Sequence, residues 1–139
     1  MFPKLRYIGE VVCMANRHLR ARGTAVVTRD GKVLLVRDRG RHRFSLPGGG
    51  IKGNEPAASA AGRELFEELG LSPTKITRMH QCDFKGSASH HKVCLIEARG
   101  EPRLRGYELD KFIWWDMKTS ISVFAHVGVI LAKMGLTKQ

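Results

Sequence analysis

Three glutamates, Glu64, Glu67 and Glu68, are spaced i, i+3 and i+4 within one short stretch. On a helix, at about 100° per residue, that spacing puts all three on one face within a single turn. Like charges four residues apart destabilise an isolated helix by about 0.2–0.5 kcal/mol. The glutamates also fall in the C-terminal half of the stretch, where the helix dipole disfavours anions. Such a face needs a positive partner. Arg63, four residues before Glu67, can pair with it and leave Glu64 and Glu68 free for a cation. Oxygen ligands with no His or Cys on the same face suit Mg²⁺ or Mn²⁺ rather than zinc. Divalent ions held there would neutralise developing negative charge and lower the pKa of a bound water, while a carboxylate takes its proton. A solvated acidic helix face is the plain alternative. Against it stands the fixed frame Gly49-x5-Glu55-x7-Arg63-Glu64-Leu65-Phe66-Glu67-Glu68-Leu69-Gly70-Leu71.

Arg37, Arg39, Arg41 and Arg43 alternate with other residues just ahead of Gly48-Gly49-Gly50. In an extended segment they would share one face aimed near the glutamates, and arginine forks match phosphate oxygens. Arg37 and Arg43 are the expected phosphate contacts, with a merely solvated basic loop as the alternative. The glycine run lets the backbone approach a phosphate closely, which adds Gly48 and Gly50 to the expected substrate contacts. Other features point less sharply. His80-x-Cys82 and His90-His91-x-x-Cys94 could be drawn as a zinc site, but their spacing is less regular than zinc sites show, so they read as ordinary strand residues. Trp114 and Trp115 face opposite sides of a strand, one of them core and the other free to stack on a base. His126 reads as structural.

These residues need elements to position them. Thr24–Thr28 and Lys32–Val36 flank Arg29-Asp30-Gly31, a strong hairpin signal. Glu55–Leu69 reads as a helix, with Asn54 as a possible N-cap, Pro56 in the first turn and Gly70 as the stop. Ile76–Phe84, His91–Ala98 and Lys111–Trp115 read as strands. A last helix is expected after Ser120, with Ile121, Phe124, Val127, Leu131 and Met134 at helical period and its end at Gly135. The order implies an α/β (α+β) fold in which a mixed sheet lies between helices.

With 139 residues, 42% hydrophobic and 27% charged, the chain reads as one globular domain. Residues 1–21 read as a basic arm and 22–139 as the domain itself. No run approaches the ~20 apolar residues of a membrane span, and no convincing signal peptide precedes the domain. Three cysteines without a Cys-x-x-Cys pair suggest reduced thiols and a cytoplasmic setting. The net charge of +11 is uneven: residues 1–46 hold eleven basic and three acidic side chains. Such a field gathers polyanions without choosing among nucleotides, nucleic acid and acidic lipid.

The frame around the glutamates resembles the Nudix box, Gly-x5-Glu-x7-Arg-Glu-U-x-Glu-Glu-x-Gly-U with U aliphatic. It matches at Gly49, Glu55, Arg63, Glu64, Leu65, Glu67, Glu68, Gly70 and Leu71. With Leu46-Pro47-Gly48 before it, the resemblance to Nudix (MutT-like) hydrolases extends over roughly residues 22–135. It implies an α/β/α sandwich and Mg²⁺- or Mn²⁺-dependent hydrolysis of a nucleoside diphosphate linked to a further group. By that resemblance Glu64, Glu67 and Glu68 hold the metal, with a backbone carbonyl of Gly48 or Gly49. Arg63 orients the carboxylates, and Glu55 supports the loop or an outer metal. The general base varies in the family; Glu97 and Glu108 are candidates beside the box glutamates.

Short single-domain members that resemble this chain often hydrolyse (deoxy)nucleoside triphosphates, including oxidised ones, to the monophosphate and pyrophosphate. That is the expected activity, on a small nucleotide. An alternative is removal of pyrophosphate from an RNA 5′ end held by the basic N-terminal half, which the lack of an obvious aromatic platform for single strands disfavours. A non-catalytic nucleotide- or nucleic-acid-binding regulator is a third reading, against which the intact glutamates stand. No membrane partner is expected, and the oligomeric state is open.

Overall fold

Along the segment that follows Gly23, Ala25 and Val27 bury on one side of a sheet and Val26 on the other, and further on Leu34 and Val36 oppose Val33 and Leu35. A strand that is apolar on both faces must be covered on both. The computed structural model, which describes residues 19–138, supplies a cover on each side. In chain order the elements are β1 (Arg20–Val26), β2 (Thr28–Arg29), β3 (Lys32–Asp38), β4 (Gly48–Gly50), α1 (Ala57–Leu69), β5 (Ser72–Arg78), β6 (Phe84–Lys85), β7 (Ser89–Arg99), β8 (Leu109–Trp115) and α2 (Ala125–Lys133). Helix α1 covers one face through Ala61, Leu65 and Leu69, and α2 covers the other through Val127, Ile130 and Leu131.

The strands form two sheets rather than one. The first runs β4-β1-β7-β5, with β6 also paired to β7; the second runs β2-β3-β8. The β1–β7 pair is parallel and the other pairs are antiparallel, so the layer is mixed, as expected. The Asp30-Gly31 turn joins β2 to β3 with φ of 53° and 77°, the left-handed pair a tight hairpin requires.

Several boundaries differ from expectation. Helix α1 is capped by Pro56 in extended conformation without a side-chain hydrogen bond, not by Asn54. Its end is as read: Gly70, at φ 71°, donates its N–H to the Phe66 carbonyl. The strand expected over Ile76–Phe84 stops at Arg78, because a 3-10 turn at His80–Cys82 intervenes before β6. Helix α2 begins at Ala125 rather than just after Ser120. Phe44 donates its N–H to the Ser122 carbonyl and its carbonyl accepts from Phe124, which holds that stretch extended against the chain. Of the arm expected over residues 1–21, Arg20 and Ala21 belong to β1 and residues 1–18 lie outside the described residues.

Candidate active site

The loop between β4 and α1 is held by one guanidinium. Arg63 donates from Nε and Nη2 to the two Glu55 oxygens, both at 2.9 Å, and from Nη2 to the Gly50 carbonyl at 3.2 Å. Its Nη1 reaches Glu64 at 3.2 Å and Glu67 at 3.4 Å. The main partner of Arg63 is therefore Glu55, not Glu67 as the helical spacing suggests, because the loop folds Glu55 back over the first turn. The Lys52 N–H also donates to Glu55. Held by Arg63 first and by Lys52, the Glu55 carboxyl titrates at about 2, and Arg63 is raised in turn. The glycine run fits this loop closely. A Cβ on Gly49 would overlap the Glu64 carboxylate, and one on Gly48 would overlap the Gly23 carbonyl. Gly50 faces open space.

Glu64 and Glu68 turn inward, whereas Glu67 is half exposed. A fourth carboxyl joins them from the chain that precedes β8: Glu108 lies within hydrogen-bonding reach of Glu68. Burial first, then the Glu64 charge and the Glu108 hydrogen bond, carry the Glu68 carboxyl up to about 8. Arg22 faces this group from β1, and its own pKa is lowered by burial against the pull of Glu68, Asp38 and Glu64. The donor set is all oxygen and carries more carboxyls than the two arginines, Arg22 and Arg63, that face it, which fits a hard divalent cation. Among the described residues no three acidic, His or Cys side chains are grouped closely enough to hold an ion as they stand. Closing a cation site here takes rotation of side chains such as Glu67.

The C-terminal end of α1 carries its own compensation. Arg103 and Arg105 donate backbone N–H groups to the Leu69 and Glu68 carbonyls, and the Arg105 guanidinium bonds the Phe66 carbonyl at 3.0 Å. Positive charge at the helix end offsets the glutamates' conflict with the dipole.

Beside the carboxyls opens a cavity of about 480 Å³, whose lining includes Arg22, Arg41, Phe84, His91, Phe124 and His126. Four rings form a nearly parallel row through it. His91 and His126 stack at 4.1 Å, with Phe84 beyond His91 at 6.3 Å and Phe124 beyond His126 at 6.2 Å. The imidazoles are fixed from behind: His91 Nδ1 lies 2.9 Å from the Thr24 hydroxyl, and His126 Nε2 accepts the Leu46 N–H at 3.3 Å. Burial first, then Arg22 for His91 and His91 for His126, lowers their pKa values to about 4 and about 3. The row is neutral at pH 7. The Arg22 guanidinium bonds the Leu46 carbonyl at 3.0 Å and links this cavity to the carboxyls.

The arginines do not share a face. Strand β3 ends at Asp38 and the chain turns at Gly40, φ 84°, which sends each of the four elsewhere. Arg37 pairs with Asp110 at 3.0 Å and lies over Phe44. Arg39 stacks on Tyr107, Arg41 lines the cavity, and Arg43 lies over Phe124 at its wall. Cys82 and Cys94 are buried in the two opposite hydrophobic clusters, so the zinc drawing cannot close. Trp114 and Trp115 do point to opposite faces, but each packs against a core cluster. Glu97 is exposed on β7 and does not reach the site. His126, Arg22 and the aromatic row carry no spacing signal in the sequence, because they come from separate elements.

The fold and site can be set beside known proteins. A family model described as the NUDIX domain matches residues 17–120. The chain belongs to the NUDIX domain family. A crystal structure of a nudix hydrolase family member from Chromobacterium violaceum is similar, with 27% identity, a TM-score of 0.74 and coverage of 86% of this chain and 78% of that one. The MutT NUDIX hydrolase of Burkholderia pseudomallei shares the fold at 24% identity, TM-score 0.70, covering 84% and 98%. Over 57 residues the chain is 40% identical to an RNA pyrophosphohydrolase of Aeromonas hydrophila, covering 41% of this chain and 33% of that protein. Over 50 residues it is 48% identical to the RNA pyrophosphohydrolase of Sodalis glossinidius, covering 36% and 29%. The matched segment spans about a third of the length of these curated relatives. Among the described residues no helix is long and apolar enough to cross a membrane.

Proposed function

We propose that the protein is a Mg²⁺- or Mn²⁺-dependent pyrophosphohydrolase that cleaves a nucleoside 5′-polyphosphate to the monophosphate and pyrophosphate. The observation that carries this reading is the continuity of two sites through Arg22: a ring-walled cavity on one side and inward-facing carboxyls on the other. The ring-lined cavity suits a nucleobase, and the carboxyls suit a cation bound to phosphate oxygens. Glu64, Glu67 and Glu68 would hold the ion, with a backbone oxygen of Gly49. When bound, the ion supplies charge neutralisation on the phosphates and a more acidic water. Arg63 holds the Glu64 carboxylate in place, and Glu55 holds Arg63. Arg22 balances the polyphosphate charge beside the cavity. Glu108 is the carboxyl positioned to take a proton from the attacking water. Arg41 and Arg43 flank the cavity as phosphate contacts, whereas Arg37 is engaged by Asp110.

A free (deoxy)nucleoside triphosphate, oxidised or not, is the first substrate reading. A second reading, an RNA 5′ end, is favoured by the names of the two matched relatives. The test is chromatography of the nucleotide products, with Mg²⁺, across dNTPs, 8-oxo-dGTP, ADP-ribose, NADH, diadenosine polyphosphates and triphosphorylated RNA. Turnover of one preferred substrate that is lost with EDTA supports the reading. Silence across the panel from folded protein overturns it.

A further inference from the structure

Glu108 has no helix or strand of its own to place it. It immediately precedes β8, at the end of a run over residues 103–108 that is exposed throughout. Only the flanking Pro102 and Leu109 are buried. Burial therefore cannot set where the Glu108 carboxyl points, and an exposed segment with few contacts opens easily. Yet the fold brings that carboxyl to Glu68.

The run is tied at both ends instead. At the first end the Arg103 and Arg105 N–H groups donate to the Leu69 and Glu68 carbonyls at 3.0 and 2.9 Å. The strap is thus fastened to the backbone of Glu68, the residue whose carboxyl Glu108 meets. Gly106, at φ 76°, then turns the chain. At the second end one residue just past β3 takes two successive carbonyls. Arg39 donates its backbone N–H to the Glu108 carbonyl at 2.8 Å and its Nε to the Tyr107 carbonyl at 2.9 Å. The Tyr107 ring is 75% exposed, and the Arg39 guanidinium lies over it at 4.2 Å. Stacked there, the planar guanidinium loses rotamer freedom and keeps Nε aimed at the carbonyl.

We infer that Arg39 is a positioning residue, which holds the 103–108 strap through the Tyr107 and Glu108 carbonyls so that the Glu108 carboxyl stays beside Glu68. The inference deepens the proposed function and rests on its cation at Glu64, Glu67 and Glu68, whose affinity the neighbouring Glu108 charge would raise. Arg39 itself acts only through Glu108.

The probe is Mn²⁺ alone, titrated into the full chain and followed by the electron paramagnetic resonance of the free ion. The sign of the effect is diagnostic. Arg39→Ala removes a positive charge from the recess it shares with Glu108, which by electrostatics alone would tighten a cation. The clamp predicts the opposite. Arg39→Ala should weaken Mn²⁺ about threefold as Glu108 swings away, and Glu108→Gln should weaken it about fivefold. The double variant should bind no more weakly than Glu108→Gln, because the clamp then has no charge left to position. Tyr107→Phe, which keeps the stacked ring, should match wild type.

A second readout needs no metal. Amide exchange over residues 103–108 should quicken about fivefold in Arg39→Ala. The melting temperature should move little, since Arg39 is exposed. Unchanged or tighter Mn²⁺ in Arg39→Ala, additive losses in the double variant, or unchanged exchange overturns the inference. In each of those cases Mn²⁺ binding by wild type leaves the proposed function standing. A wild type that binds no Mn²⁺ overturns the proposed function and the inference with it.

Discussion

The loop and helix that carry Glu55 to Glu68 and the cavity walled by His91 and His126 face the same arginine, Arg22, yet they are held together by opposite means. The first is a charged lattice: Arg63 joins Glu55, Glu64, Glu67 and the Gly50 carbonyl, and removing any one changes the charge balance of the others. The second is neutral and stacked, and its order comes from burial and from single hydrogen bonds to Thr24 and the Leu46 N–H. A site that must bind a cation has to keep uncompensated negative charge. The cavity instead presents neutral stacked rings beside Arg22, Arg41 and Asp38. The protein keeps both a few side chains apart by placing one arginine between them.

That contrast can be broken first at its charged side. Glu68→Gln should lower turnover by about two to four orders of magnitude, a loss of the scale seen when a group acting directly in the chemistry is removed. The circular dichroism melt should move little. Near-normal turnover would remove Glu68 from the metal-binding set. Gly49→Ala acts on the same lattice through shape, since its methyl would overlap the Glu64 carboxylate. Displacing that group should cost about a hundredfold in kcat, and a pyrophosphate-release assay beside a melting curve separates that from unfolding.

The neutral side is sharpened by pH. His91 and His126 have folded pKa values of about 4 and about 3, depressed from an ordinary value of 6.5. Folding therefore excludes protons that the unfolded chain binds. The histidines' stabilisation is complete above pH 6.5 and is lost as pH falls through that window toward the folded values. Each contributes a slope of up to about 1.4 kcal/mol per pH unit. His126→Gln, which keeps an acceptor for the Leu46 N–H and cannot titrate, should flatten the fall in stability between pH 6.5 and 5 in urea titrations. An unchanged slope would show that His126 is protonated in the fold.

The smallest effect concerns the arginines. Arg41→Ala should raise KM several-fold with kcat nearly held, because Arg41 lines the cavity, whereas Arg37→Ala should act mainly on stability through Asp110. Steady-state kinetics on one nucleotide substrate distinguish the two.

What the sequence revealed follows the same division. The helical part of the lattice was legible because Glu64, Glu67 and Glu68 stand at i, i+3 and i+4, whereas its main contact, Arg63 to Glu55, comes from the loop and not from helical spacing. The Asp30-Gly31 hairpin and the Gly70 stop were legible for the same local reason. The cavity was not. Arg22, Phe84, His91 and His126 come from β1, β6, β7 and α2, and nothing local marks their meeting. Glu108 stood only as a candidate base, and the fold brings it to Glu68. The arginine fan failed because Gly40 turns a segment that alternation alone would leave extended. The stacking of Arg105 over Phe66 and of Arg39 over Tyr107 was hidden for the same reason, since each arginine reaches its ring from a distant part of the chain.

The parallel pairing of β1 with β7 has a consequence for how the protein is made. Thr24 lies opposite Val93, and all seven residues of β1 find their β7 partners about 69 positions downstream. The wall that joins Thr24 to His91 cannot form until β7 has emerged from the ribosome, and His126 arrives later still. Domains generally fold as units during synthesis, N-terminal elements first. Here the box helix can be complete while the ring-walled cavity does not yet exist. A nascent chain stalled before residue 89 would carry the acidic helix without the ring-walled cavity, so any activity that needs the cavity should appear only after residue 126 has emerged.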